Sequence, residues 1–270
     1  MIRISMNEMT TLDWSFDEDI RQFTAARFDG IGIWRNKLID HGLEDGVKAV
    51  LDSGLRISSL SCAGGFTGAN GMTYSESLND ALSALHLACC LDAECLIIFT
   101  GPRRGHTLNH ARRLTCNALS ELVPVAEMLQ VQLALKPMHP RFADDWSFLT
   151  DLEDAVSLAN SFESHYLKLA LDTFHMDCSE LTFDRIKDIA GSLALVQLSD
   201  RIEADNGRLQ RCRFGEGHVP IREIVTRLID CGYEGSFDIN LSGISANADQ
   251  YPAILEESRQ ACMEMLGAYD

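Results

Sequence analysis

The sequence predicts an α/β fold, a single (β/α)8 TIM barrel over residues 1–270, and three observations carry that prediction. Short apolar runs of strand type alternate with longer segments whose apolar residues recur at three- and four-residue spacing. The length of 270 residues suits one such barrel, which commonly needs about 250. No Pro/Gly/Ser-rich linker or break in composition divides the chain. A doubly wound open sheet would need a Gly-rich phosphate turn after the first strand, and Asn7-Glu-Met-Thr10 is not one.

Taken in order, Ile2-Arg-Ile-Ser-Met6 supplies the first strand, expected at Arg3–Met6, and Gly30–Trp34 and Ile57–Ser61 the next two. Helical periodicity over Ser77–Leu91 leads to a fourth strand at Cys95–Thr100, and Leu108–Leu129 to a fifth at Val131–Lys136. That fifth strand ends in a charged residue and meets Pro137 and Pro140, which forbid its continuation. Leu152–Ser161 is a helix between it and a sixth strand at Leu167–Asp172. Leu193–Leu198, the helix Ile221–Cys231 and Ser236–Leu241 complete the repeat. Glycine clusters at Gly64-Gly65, Gly101 and Gly105, and Gly215 and Gly217 follow strands, where barrel loops build an active-site face.

Composition narrows the function. A net charge of −17, from 23 basic and 40 acidic residues, lacks the basic footprint that nucleic acid requires. The nine cysteines sit mostly within apolar patterns and form no Cys-x-x-Cys pair, which predicts buried thiols in a reducing compartment. The start of the chain shows no basic segment followed by a long apolar one, and acids such as Asp92 and Glu94 break the longest apolar stretches. A cytoplasmic protein without membrane contact is expected; a homo-oligomer is compatible with the sequence.

In a barrel enzyme the chemistry lies at the carboxyl ends of the strands. Here those ends offer Trp34, Arg103, Lys136 with His139, Asp172 with His175, Gln197 with Asp200 and Arg201, and Asn240. The second half of the barrel is more polar there than stability alone requires. The motifs at these positions are specific. Leu133-Ala-Leu-Lys-Pro-Met-His-Pro140 resembles a fifth strand reading Leu-Ala-Leu-Glu-Pro-x-His in the xylose-isomerase-like barrels, the sugar phosphate isomerase/epimerase (AP endonuclease family 2) superfamily. Leu171-Asp-Thr-Phe-His175, Val196-Gln-Leu-Ser-Asp200 and Gly215-Glu-Gly-His-Val219 are similar to its sixth strand, seventh strand and Gly-x-Gly turn. Gly232-Tyr-Glu-Gly235 followed by Phe237-Asp-Ile-Asn240 is similar to its lead into strand eight.

The resemblance implies a divalent metal held by Glu, Asp, His and Glu. Carried onto this chain, the four positions are Lys136, Asp172, Gln197 and Asn240. An ammonium has no lone pair for a metal, and the amides of Gln197 and Asn240 offer oxygen without charge. The implied ligand charge of −3 becomes zero, so loss of the family metal, and no other cofactor, is expected. Both glutamates that shuttle a proton in the family are also missing. Lys136, Asp172 and His175 are the candidate catalytic residues. Three roles stay open for Lys136: an electrophile for a sugar oxygen, a base or Schiff-base nucleophile if desolvation lowers its pKa, or one half of an ion pair with Asp172 filling a dead metal site.

Trp34, Arg103, His139, Gln197, Asp200, Arg211 and Asn240 are the candidate substrate-binding residues. Trp34 offers a ring to a sugar, or is core. Arg211, just before the Gly-x-Gly turn, can grip a carboxylate or phosphate, and Arg103 begins the one basic run of the chain. Asp200 pairs with Arg201 or touches substrate, and His218 is read as structural. An endonuclease role fits poorly, because Leu209–Arg213 supplies no Asp-x-His and the surface is acidic. The expected ligand is a small sugar, keto-sugar or sugar acid. The expected protein is a metal-free member of the family, with a non-catalytic carbohydrate-binding relative and a weakly metal-dependent isomerase or epimerase as alternatives.

Overall fold

In the computed structural model, which describes residues 2–176 and 183–266, the strands are β1 (Arg3–Asn7), β2 (Gly30–Trp34), β3 (Arg56–Gly64), β4 (Cys95–Phe99), β5 (Gln132–Leu135), β6 (Leu167–Asp172), β7 (Leu193–Leu198), β8 (Asp200–Glu203), β9 (Leu209–Cys212) and β10 (Ser236–Ile239). Eight of them close a parallel barrel in the order β1-β10-β7-β6-β5-β4-β3-β2, while β8 and β9 form a separate antiparallel hairpin. The helices are α1 (Phe16–Ala25), α2 (Arg35–His41), α3 (Leu43–Ser53), α4 (Tyr74–Cys90), α5 (Leu108–Leu129), α6 (Leu152–Asn160), α7 (Phe183–Ile189), α8 (Ile221–Asp230) and α9 (Tyr251–Leu266).

Local chemistry sets these boundaries. Thr73 and Glu76 form a reciprocal capping box that starts α4, and Thr107 and Asp151 cap α5 and α6 through their side-chain oxygens. Helix α8 buries Ile221, Ile224, Val225 and Leu228, the stripe its periodicity predicts. Strand β5 stops at Leu135, although the Lys136 N–H still donates to the Ile98 carbonyl at 3.0 Å; Pro137 then has no donor with which to continue. The hairpin β8–β9 is absent from the strands that the sequence predicts, because its strands are short and mostly half-buried and carry no clear alternation. It places Arg201 opposite Arg211 in register.

Two compact units are distinguished within the chain. The first comprises Met1–Ser58, Asp172–Gly191 and Val196–Asp270. Its buried strand residues surround Asp238, which is fully enclosed. Asp238 Oδ1 accepts from Ser5 Oγ at 2.9 Å and Ser58 Oγ at 3.4 Å, and Oδ2 accepts from Asn7 Nδ2 at 2.7 Å and Gln197 Nε2 at 2.9 Å. Gly32 makes room for this network: a Cβ there would lie 2.5 Å from Asn7 Nδ2 and 2.8 Å from Asp238 Oδ1.

The second unit comprises Ser59–Leu171 and Ser192–Leu195. Its core is apolar, with Cys95, Ile97, Ala134, Ala170, Ala194 and Leu195 packed together and Phe99 against them. The described cysteines carry free thiols, and Cys178 lies outside the described residues. Burial pushes the Cys262 thiol up to about 12, and burial together with Asp200 and Glu216 pushes Cys212 up to about 11. Both are therefore protonated, poor nucleophiles at neutral pH. No described helix is long and apolar enough to cross a membrane.

Candidate active site

In the first unit, Asp172 ends β6 with a fully buried side chain. Its Oδ1 accepts the Phe174 N–H at 3.0 Å, and its carbonyl accepts the His175 N–H at 2.9 Å, so the chain turns sharply after the strand. The same carboxylate receives Arg211 in a two-point contact, Nη1 to Oδ1 at 3.0 Å and Nη2 to Oδ2 at 2.7 Å. Arg211 Nη1 also reaches Ser199 Oγ at 2.7 Å and the Asn240 carbonyl at 3.1 Å, and its guanidinium lies 4.3 Å from the Phe174 ring centroid. Its side chain is only 7% exposed. His175 brings Nε2 to 3.9 Å from Asp172 Oδ2, with its ring edge-on to Phe174.

The other predicted residues of this unit divide by role. The Asp200 carboxylate accepts four backbone amides: Arg201 at 2.8 Å and Val219 at 2.9 Å on Oδ1, Gly215 at 3.0 Å and Gly217 at 2.9 Å on Oδ2. These bonds fill the acceptor positions of a carboxylate and make Asp200 the anchor of the Gly-x-Gly turn. A Cβ on residue 217 would come within 2.3 Å of Asp200 Oδ1, which explains Gly217. Arg201 Nη1 donates to the carbonyls of Phe174 and Met176 at 2.7 and 2.8 Å, holding the loop after β6. Gln197 gives its amide to Asp238, and Asn240 Oδ1 accepts the Ser242 N–H at 3.1 Å. Trp34 is half-buried, and its backbone N–H donates to Glu8 Oε2 at 2.7 Å.

Within the second unit, Lys136 is 4% exposed and its ammonium lies 5.8 Å from the centroid of the Phe99 ring. His139 is half-buried, and its Nδ1 accepts the Arg141 N–H at 3.2 Å. Arg103 is exposed on the loop after β4.

Residues that sequence reasoning passed over also matter. Asp238 shares a strand face with Asn240 by the two-residue period, a signal that was present in Phe237-Asp-Ile-Asn240. Glu8, Asp19 and Lys37 form a buried charged cluster with no signal in their spacing. Lys37 Nζ bonds the Asp19 carboxylate and, at 2.7 Å, the Thr11 carbonyl; Thr11 Oγ1 donates to Asp19 Oδ1 at 2.7 Å. Burial, and then the charge of Asp19, holds the Glu8 carboxyl well above its usual range, and burial pushes Asp19 up to about 6. Glu8 Oε1 is buried with no partner for an ionised oxygen, whereas a protonated carboxyl can donate to Asp19.

The four positions to which the resemblance assigns metal ligands carry different chemistry when each is taken by itself. Lys136 brings an ammonium, Asp172 is already bound by a guanidinium, and Asn240 Oδ1 accepts a backbone amide. Among the described residues, no group of three or more His, Cys, Asp or Glu side chains is arranged to hold a metal ion. A surface cleft of about 900 Å³ in the first unit, lined by Phe214, Arg222, Arg227 and Glu264 among others, shares only Asp200 with the predicted site.

The sequence matches the xylose isomerase-like TIM barrel family over residues 20–261. Among solved structures, it is similar to protein SMc04130 from Sinorhizobium meliloti 1021, with a TM-score of 0.84 and 23% identity over 98% of this chain and 97% of that one. It is also similar to the IOLI protein with a bound zinc atom, with a TM-score of 0.82 and 17% identity over 100% of this chain and 99% of that one. L-ribulose 3-epimerase matches with a TM-score of 0.80 and 16% identity over 99% of this chain and 95% of that one.

Proposed function

This chain belongs to the xylose isomerase-like TIM barrel family, and on that premise we propose that it binds a small sugar, keto-sugar or sugar acid without a divalent metal. The observation that carries the reading is the guanidinium of Arg211 on the carboxylate of Asp172. Asp172 is the one anionic residue left at the four ligand positions, and a positive charge already neutralises it. A divalent cation arriving there would have to displace a two-point ion pair that is almost fully buried, and removal of one partner from such a pair costs roughly 3–5 kcal/mol.

Fixed cations then take over the handling of substrate oxygens. The ammonium of Lys136 is a donor for a carbonyl, carboxylate or hydroxyl oxygen, and it needs no metal to hold positive charge. Arg211 holds the Asp172 carboxylate in place. His175, beside Asp172, and His139 provide neutral or protonated imidazole for hydroxyl groups. The two positions at which the family carries its proton-shuttling glutamates hold Lys136 and Asn240. Asn240 has no proton to exchange in the working pH range, so the family's transfer between two glutamates cannot run unchanged, and any proton moved at carbon falls to Lys136, Asp172 or His175.

The test is sugar binding with and without chelator. L-ribulose, the sugar in the name of one structural relative, is observed by saturation-transfer NMR against the purified protein. Binding that is unchanged after EDTA treatment and lost in Lys136→Met supports the reading. Binding that disappears with EDTA and returns with Mn²⁺ overturns it in favour of a metal-dependent isomerase or epimerase.

A further inference from the structure

Trp146 is a large apolar side chain that the fold leaves 48% exposed. A scattered surface aromatic is ordinary, but the setting of this one is not. The loop that carries it is tied to the end of β4. The Phe148 N–H donates to the Gly101 carbonyl at 2.9 Å, and the Ser147 and Thr100 hydroxyls lie 2.9 Å apart with both residues fully buried. The Trp146 N–H donates to the Phe142 carbonyl at 2.9 Å, and the Met138 N–H to the Leu149 carbonyl at 3.0 Å. The indole is thus presented by a fixed backbone on both sides.

Its ring stands 5.9 Å from the ring of Phe99, tilted by 54°. Phe99 in turn has the Lys136 ammonium 5.8 Å from its centroid. Phe99 therefore has the partly exposed indole on one contact and, on another, the ammonium of Lys136, a residue 4% exposed just past the end of β5. This arrangement suits the two surfaces a sugar offers: an apolar face of C–H groups, which packs on aromatic rings, and hydroxyl or carbonyl oxygens, which seek a donor.

We propose that Trp146 and Phe99 form an aromatic subsite on which the C–H face of a carbohydrate ligand stacks, with its oxygens directed toward Lys136. The subsite rests on the carbohydrate reading above and names the contact that selects sugars over other small polar molecules. Leaving the indole partly in water costs the folded protein apolar burial, and a stacked ligand recovers it.

The experiment measures the affinity of L-ribulose and D-psicose by saturation-transfer NMR titration in EDTA for wild type, Trp146→Ala and Trp146→Phe. Circular dichroism confirms that each variant is folded. The expected result is affinity weakened about fivefold to tenfold in Trp146→Ala and largely restored in Trp146→Phe, with saturation transferred most strongly to the C–H protons of one face of the sugar. Equal affinity of wild type and Trp146→Ala for either sugar overturns the subsite and leaves the carbohydrate reading standing. Failure of both sugars to bind wild type overturns the carbohydrate reading, and the subsite with it.

Discussion

The guanidinium of Arg211 closes on the carboxylate of Asp172 through two parallel contacts, at 3.0 and 2.7 Å, with the same Nη1 shared by Ser199 and the Asn240 carbonyl. Residues 39 apart in sequence meet because the β8–β9 hairpin carries Arg211 to the end of β6. Breaking this pair strands a buried charge. Arg211→Met keeps an unbranched apolar stem, removes the guanidinium over Phe174 and should destabilise the protein by about 3 kcal/mol or more in urea unfolding. Adding Asp172→Asn should recover a substantial part of that loss. Losses that simply add in the double variant would show that the two side chains are not energetically coupled.

The Glu8–Asp19 pair gives stability a pH dependence. Both carboxyls hold their protons more tightly in the folded chain, because burial raises them. Their contribution is therefore complete below the unfolded pKa and is lost as pH rises through the folded one. For Asp19 that window runs from 3.8 to about 6; for Glu8 it starts at 4.5 and ends well above. Glu8→Gln mimics the protonated form, donating to Asp19 and accepting from Trp34. It should be more stable than wild type at pH 8, with the advantage shrinking toward pH 4. Urea unfolding across that range checks the sign, and parallel curves would refute a shared proton.

Asp200 should behave as a turn anchor. Asp200→Ala leaves four backbone amides without their acceptor and should cost at least about 2 kcal/mol. Amide hydrogen exchange at Gly215, Gly217 and Val219 should accelerate well beyond the change at helix α5. Unchanged protection at those three amides would return Asp200 to the pool of ligand-binding candidates.

Gly32 makes a stricter geometric claim. A methyl there meets Asn7 and Asp238 at 2.5 to 2.9 Å, and both are held by the network in the strand interior. Gly32→Ala should destabilise by roughly 1–3 kcal/mol through overpacking, as read by thermal unfolding. A neutral result would mean that the Asp238 network yields easily.

The barrel was legible in the sequence because short apolar runs of strand type alternate with helical patterns; Gly30–Trp34, Leu167–Asp172 and Leu193–Leu198 carry the same bounds in both views. Asp172, Lys136 and Arg211 were legible as candidates because strand ends and motifs mark them. Their partners were less so. The pairing of Asp172 with Arg211 depends on a hairpin whose short, mostly half-buried strands show no clear periodicity. Asp200 reads as a polar residue at a strand end until its four amide donors are seen. Glu8, Asp19 and Lys37 come together through the packing of the turn after β1 with α1 and α2, and no local spacing records that meeting.

Mn²⁺ titration, followed by the electron paramagnetic resonance signal of the free ion, distinguishes a guanidinium on Asp172 from a metal site there. Wild-type protein should leave the added Mn²⁺ free at micromolar concentrations. Uptake of one Mn²⁺ per chain in that range, abolished by Asp172→Asn, would contradict it.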